Sequence, residues 1–133
     1  PEERLGTSNT TSLAARVRAA NAWPADYFIS IHANANTDPV VNGTEVYVYR
    51  KYTQSYYLAQ HILSAIVNVV GTRDNGVRVN PSLYVLRRTN MPAVLVELAY
   101  VTNAGDAEKL ETMQPEFARG IYEGLLSYFG LDQ

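Results

Sequence analysis

Cysteine is absent from the 133-residue sequence, and tryptophan and phenylalanine occur only once and three times. Without cysteine the chain has no disulfide, no thiolate nucleophile and no cysteine-ligated zinc. A bound metal would therefore need histidine and carboxylate ligands. The sequence also has no apolar run near the roughly 18 residues that cross a bilayer, so we expect no membrane span.

Charge is sparse and nearly balanced, with 11 Lys and Arg against 13 Asp and Glu and a formal net charge of −2. Basic residues do not cluster into a surface for a phosphate backbone, so nucleic acid is not an expected partner. A Gly-rich phosphate loop, a Gly-x-Ser-x-Gly elbow and a His-Glu-x-x-His helix are all missing. The common nucleotide, serine-hydrolase and zincin sites therefore lack support.

Length and a hydrophobic content of 47% indicate one domain over residues 1–133. Apolar spacing predicts, in chain order, helix, two strands, helix, three strands and two helices. The predicted strands are 27–32, 44–49, 77–79, 84–87 and 93–98, and the predicted helices start near Thr11 or Ser12 and cover 54–70, 103–111 and 115–128. This order predicts an α/β fold, a mixed twisted sheet with helices on both faces.

Two apolar runs, residues 27–34 and 92–98, each present one ionisable side chain, His32 and Glu97. A run that is apolar on both faces is typical of a central strand, where a charge is costly unless it is paired or bound to metal. The spacing alone favours a His32 that is hydrogen-bonded to backbone over a metal ligand. For Glu97, a metal ligand, a general base or a buried ion pair are all better explanations than solvent exposure.

Three further groups are weaker candidates. His61 lies on the flank of a helical apolar stripe and is expected to be half-exposed. Arg87 ends the predicted strand 84–87 and would either attract an acidic substrate or, somewhat more often, pair with a carboxylate. The ten tyrosines are compatible with a sugar-tolerant groove but are also ordinary strand residues.

Several short motifs follow one another along the chain. They are Ser12-Leu13 with Arg16 and Ala20-Asn21, residues 25–35 around Ser30-Ile31-His32-Ala33-Asn34, Gly43-Thr44-Glu45-Val46-Tyr47, Leu58-Ala59, Gly76-Val77, residues 83–87, residues 91–98, and Asn103. With these motifs in this order, the chain from about Ser12 to the final helix resembles the zinc-dependent N-acetylmuramoyl-L-alanine amidases of the Amidase_3 family.

The resemblance implies that His32 binds zinc and that Glu97 is the catalytic carboxylate. Asn34 and Arg87 are assigned to substrate binding. The implied reaction cleaves the amide between N-acetylmuramic acid and the L-alanine that begins the peptide stem of peptidoglycan, with Zn²⁺ as cofactor. A peptidoglycan substrate implies an exported protein, extracellular or periplasmic and associated with the cell wall.

The sequence departs from the family pattern at its start. The family's two other zinc ligands, a histidine and a glutamate, precede the segments matched here. We therefore expect a fold that lacks its N-terminal strand and first helix, and a zinc site that an upstream segment must complete. A smaller departure is Ala99, where the family usually has glycine.

Two alternative functions stay open. One is a non-catalytic peptidoglycan-binding or regulatory module that keeps the groove without the metal. The other is a zinc peptidase that acts on peptide stems. The products of the reaction distinguish them, because only the amidase releases a peptide that begins with a free L-alanine amine.

Overall fold

The computed structural model describes residues 9–132, with side chains from residue 11 onward. Its five helices and four strands, in the described part of the chain, confirm the predicted α/β class. The helices are α1 (Asn9–Ala22), α2 (Gln54–Val70), α3 (Tyr84–Arg88), α4 (Ala104–Thr112) and α5 (Gln114–Tyr128), and the strands are β1 (Phe28–Asn34), β2 (Thr44–Val48), β3 (Asp74–Val79) and β4 (Ala93–Tyr100).

The four strands form one mixed sheet in the order β1-β4-β2-β3. Strand β4 runs parallel to β1 and antiparallel to β2, and β2 runs parallel to β3. The near-continuous apolar sequence of β4 is explained by this central position, since helices cover it on both faces. The carboxyl ends of β1 and β4 therefore lie at the same edge of the sheet.

Each face of the sheet has its own hydrophobic core. On one face, α2 and α5 pack against the alternate residues of β2 and β4, including Val46, Val48, Val94 and Val96. On the other face, α1 and α3 cover a smaller cluster that contains Leu95 of β4 and Phe28 of β1. The predicted coverage of both faces is confirmed.

Helices α2 and α5 approach closely because α5 carries glycine at two contact positions. A Cβ atom at Gly120 would lie 2.8 Å from Ile66 Cα, and one at Gly124 would lie 2.6 Å from Ile62 Cα. Both distances are too short for any real side chain. The two glycines thus set the helix spacing that buries the larger core.

Several predicted helix ends are confirmed. Helix α2 covers the predicted residues and closes on Gly71 in the left-handed conformation, φ 83°. The Asn103 side chain accepts a hydrogen bond from the Asp106 backbone N–H at 3.0 Å and so caps α4, at the start of the helix predicted over residues 103–111. Pro115 occupies the first turn of α5 as expected.

Two predictions about local structure are wrong. Residues 84–88 form helix α3 and not a strand; Leu86 N and Arg87 N both donate to Leu83 O, at 3.1 and 3.0 Å. The consecutive side chains of Val85 and Leu86 are both buried against α1, which a helical turn allows and an alternating strand does not. Helix α1 begins at Asn9, so the predicted caps Thr11 and Ser12 lie inside it.

Candidate functional site

Three ionisable residues form a row across three neighbouring strands. His32 of β1 is the register partner of Glu97 of β4, and Glu97 is also the register partner of Glu45 of β2. Register partners project from the same face of a sheet. This is the face that α1 and α3 cover further down the strands, and the row lies near the carboxyl ends of β1 and β4. The structure thus brings together the two residues predicted from the apolar runs.

Glu97 is the unusual member of the row. Its Oε1 atom is buried and has no hydrogen-bond partner among the described residues. Burial and, to a smaller extent, the negative charge of Glu45 together raise the pKa of this carboxyl to about 7. An unpartnered buried carboxylate is rare in folded proteins and is a strong indication of a functional role.

Glu45 has the opposite environment, since it is 1% exposed but fully hydrogen-bonded. Its carboxylate accepts bonds from five donors that belong to all four strands. They are Tyr47 Oη at 2.8 Å, Tyr100 Oη at 3.0 Å, Asn75 Nδ2 at 3.1 Å, Asn34 Nδ2 at 3.3 Å and Arg78 Nη1 at 3.4 Å. These bonds compensate for the desolvation of a buried charge.

The two tyrosines are committed to this role as donors. Burial and the hydrogen bond to Glu45 raise the pKa of Tyr100 to about 12 and raise the pKa of Tyr47 as well. Both hydroxyls therefore keep their protons at neutral pH and donate hydrogen bonds to Glu45. The network holds the Glu45 carboxylate in place next to Glu97.

His32 is held by a neighbour on its own strand, because its Nε2 lies 2.7 Å from Ser30 Oγ. Burial lowers the pKa of His32, and the positive charge of Arg16 on α1 lowers it further. The imidazole is therefore neutral at pH 7, which is the form that binds a metal ion.

The other predicted site residues are placed differently. Asn34 lies two residues beyond His32 and donates to Glu45, so it belongs to the network under the site. Arg87 lines a separate cleft with Arg50 and Ala93, at the other end of β4. Four residues of strand, about 13 Å, separate Ala93 from Glu97. The role of Arg87 in substrate binding stays a prediction, at a position remote from the row of His32, Glu97 and Glu45.

His61 is half-buried, as predicted, and its Nδ1 lies 2.7 Å from Ser127 Oγ of α5. It is on the opposite face of the sheet from the row. The sequence reasoning did not select Glu45 as a site residue, although the same signal was present: a carboxylate between buried positions in a β-strand, here Thr44 and Val46.

The fit to a catalytic zinc is partial. Such a zinc takes three protein ligands and keeps a position for water. Within residues 9–132, no group of three or more His, Asp and Glu side chains is arranged to hold a metal ion. The row offers one neutral imidazole and one unpartnered carboxylate oxygen. The described residues therefore do not form a catalytic zinc site by themselves.

Comparison with known proteins identifies the family. The Amidase_3 profile, described as N-acetylmuramoyl-L-alanine amidase, matches residues 4–127. The chain belongs to the Amidase_3 family. It is 42% identical over 131 residues to the N-acetylmuramoyl-L-alanine amidase LytC of Bacillus subtilis (strain 168), a match that covers 94% of this chain and 26% of LytC.

Other amidases show the same pattern. The N-acetylmuramoyl-L-alanine amidase CwlM of Bacillus licheniformis is 40% identical, over 96% of this chain and 50% of CwlM. The chain thus spans about a quarter to a half of these curated relatives. Within the described residues, no helix has the length and apolar character needed to cross a membrane.

Solved amidase structures share the fold. The N-acetylmuramoyl-L-alanine amidase of Clostridium difficile 630 superposes with a TM-score of 0.83 at 38% identity, over 92% of this chain and 67% of that one. The catalytic domain of CwlV from Bacillus (Paenibacillus) polymyxa var. colistinus gives 0.80 at 35% identity, over 90% and 66%. The sheet and helices described above are therefore those of an amidase catalytic domain.

Proposed function

We propose that this amidase-family domain hydrolyses the amide bond between N-acetylmuramic acid and L-alanine in peptidoglycan. The observation that carries the proposal is the half-buried Glu97 carboxyl beside His32, whose buried Oε1 atom has no hydrogen-bond partner among the described residues. A stable fold does not retain such a group without a compensating use. Membership of the Amidase_3 family and similarity to the N-acetylmuramoyl-L-alanine amidases LytC and CwlM support amide hydrolysis as that use.

In the proposed reaction, Glu97 is the proton carrier. It takes a proton from the attacking water and delivers it to the nitrogen of the departing L-alanine. A carboxyl with a pKa near 7 suits both steps, because neither protonation state is strongly favoured at neutral pH. Oε1 has no competing hydrogen bond among the described residues, so it can accept the proton directly.

Zinc dependence is part of the proposal. When bound, zinc polarises the amide carbonyl and increases the acidity of water. His32 would be one ligand, since its imidazole is neutral and adjacent to Glu97. The remaining ligands would come from outside residues 9–132. Action on peptidoglycan would place the domain outside the cytoplasm, in association with the cell wall.

Product analysis tests the proposed reaction. Purified peptidoglycan is incubated with residues 1–133, and with a chimera in which the LytC segment that precedes the matched region is joined to Pro1. Mass spectrometry then identifies the soluble peptides. Zinc-dependent release of peptides with a free L-alanine amino terminus would support the amidase. Cleavage only between amino acids of the stem would indicate a peptidase, and sedimentation with peptidoglycan without any cleavage would indicate a binding module.

A further inference from the structure

A cleft separate from the one at Arg87 opens at the same end of the sheet as the row of His32, Glu97 and Glu45. It has a volume of about 560 Å³ and is lined by the side chains of Arg73, Arg78, Asn75, Asn36 and Tyr100, together with part of the loop that follows β1. Two of these residues, Asn75 and Arg78, belong to β3, which lies on the other side of β2 from the strand that carries Glu97. The proposed reaction uses none of the cleft residues directly.

The residues that line the cleft in the described part of the chain include two arginines and no acidic residue. Arg78 is 47% exposed and pairs with the buried Glu45, at 3.4 Å. Arg73 is exposed, and within residues 9–132 its guanidinium makes neither an ion pair nor a hydrogen bond. An exposed guanidinium without a carboxylate partner favours an anionic ligand.

The walls of the cleft are held in place before any ligand binds. Asn75 Nδ2 donates to Asn42 O at 2.8 Å and to Glu45 Oε1 at 3.1 Å. On the other wall, Asn36 N donates to Thr102 Oγ1 at 3.0 Å. A preformed concave site with a few convergent polar groups is what small-ligand sites have in common.

The distance between the cleft and Glu97 determines how long a ligand must be to contact both. Tyr100 and Arg78 line the cleft and also contact Glu45, the register partner of Glu97. From β4 to β3 is two strand spacings, about 10 Å. An extended peptide covers that distance in about three residues.

We infer that this cleft, with Arg73 as its main cation, binds a carboxylate of the stem peptide about three residues beyond the amide that is cut. The inference rests on the proposed amidase function for the direction of the substrate. The guanidinium of Arg73 would hold the carboxylate as a bidentate pair, and Arg78 would contribute long-range attraction. Arg73 is then a specificity-determining residue for peptides with a free carboxylate.

Peptide binding to residues 1–133 tests the inference without requiring turnover. The probes are the peptides L-Ala-Gly, L-Ala-Gly-Gly and L-Ala-Gly-Gly-Gly, each as the free acid and as the C-terminal amide, with binding followed by NMR shifts. A charge-assisted bond predicts that the best acid binds about tenfold more tightly than its amide. The preference should peak at the tripeptide or tetrapeptide.

Three variants complete the test. Arg73→Gln should abolish the acid-over-amide preference, and Arg73→Lys should keep part of it because the charge survives without the planar fork. The matched control Arg119→Gln removes an exposed arginine of α5 whose partner is Glu123. This control should keep the full preference.

The inference is overturned if acid and amide bind equally, if no probe binds at millimolar concentration, or if Arg73→Gln keeps the preference. It is also overturned if inorganic phosphate binds in an Arg73-dependent way while the peptide acids do not. Failure of the amidase proposal is distinguishable. An Arg73-dependent preference without amide cleavage would support the carboxylate site and refute the amidase reaction. Amide cleavage without the preference would support the reaction and refute the carboxylate site.

Discussion

Glu45 and Glu97 are register partners on the antiparallel strands β2 and β4, yet their carboxylates have opposite environments. Glu45 accepts hydrogen bonds from five donors, whereas Glu97 Oε1 accepts none among the described residues. One carboxylate is thereby stabilised as an anion, and its charge disfavours ionisation of the other. In the proposed reaction, this difference lets Glu97 carry the proton while Glu45 remains a hydrogen-bonded anion.

The titration of Glu97 follows from this pairing. In the zinc-free chain, we expect the Glu97 carboxyl to titrate with a pKa of about 7. Glu45→Gln should lower that pKa, but not to the ordinary value of 4.5, because burial is the larger cause. Carbon-13 NMR of the side-chain carboxyls measures both, with the exposed Glu108→Gln as control. An unchanged Glu97 pKa in Glu45→Gln would refute the coupling.

The raised pKa of Glu97 should also affect how the stability of the protein depends on pH. Because the folded-state pKa of Glu97 lies above its unfolded value, the native state binds the proton more tightly. Its contribution to stability is fully present below about pH 4.5 and is lost as the pH rises through about 7. Between these pH limits, the free energy of unfolding of wild type should fall by roughly 1–2 kcal/mol relative to that of Glu97→Gln, after allowance for the partial solvent exposure of Glu97.

Urea unfolding of both proteins at pH 5 and pH 8 measures this difference. If wild type and Glu97→Gln change in parallel between the two pH values, Glu97 does not carry the shifted pKa.

The Glu45 network should be costly to break. Glu45→Ala leaves two tyrosine hydroxyls and an asparagine amide without their acceptor, so we expect a loss of about 3 kcal/mol in the free energy of unfolding. Urea denaturation measures the loss, and Glu108→Ala on the exposed side of α4 should change stability by less than about 0.5 kcal/mol. A Glu45→Ala protein as stable as the control would show that the network is not needed.

The contact between α2 and α5 makes a separate prediction. Alanine is the better helix former, yet Gly124→Ala should destabilise the fold by about 2 kcal/mol, because its Cβ would lie 2.6 Å from Ile62 Cα. Gly105→Ala on α4 is the matched control, since the nearest atom to its Cβ is Asn103 Oδ1 at 3.5 Å. The control should be neutral or stabilising by up to about 1 kcal/mol. Thermal unfolding that ranks the two variants in the opposite order would contradict this packing.

The sequence predicted most of the fold because local signals were strong. Helix α2 has a long apolar stripe with a glycine stop, and β4 is apolar on both faces. Helix α3 was misassigned because five residues are too few to show a helical period. Its helical form depends on burying Val85 and Leu86 together against α1.

The row of His32, Glu97 and Glu45 was only partly predictable from the sequence. A histidine and a glutamate in apolar runs are visible in the sequence, and the structure places them side by side. The network around Glu45 could not be predicted from the sequence, because Asn34, Asn75 and Tyr100 belong to three other strands that are distant from Glu45 in the chain. The Arg73 cleft has the same origin, since it forms only when the loops after β1 and α2 meet.

The central claim is that Glu97 carries the proton in amide hydrolysis, and the direct measurement is the cleavage rate of Glu97→Gln. In the LytC chimera on purified peptidoglycan, Glu97→Gln should lower the rate by about 10²–10⁴-fold. It should bind zinc as wild type does, and Glu108→Gln should cleave at the wild-type rate. A Glu97→Gln protein that folds, binds zinc and cleaves within a few-fold of wild type would contradict the account.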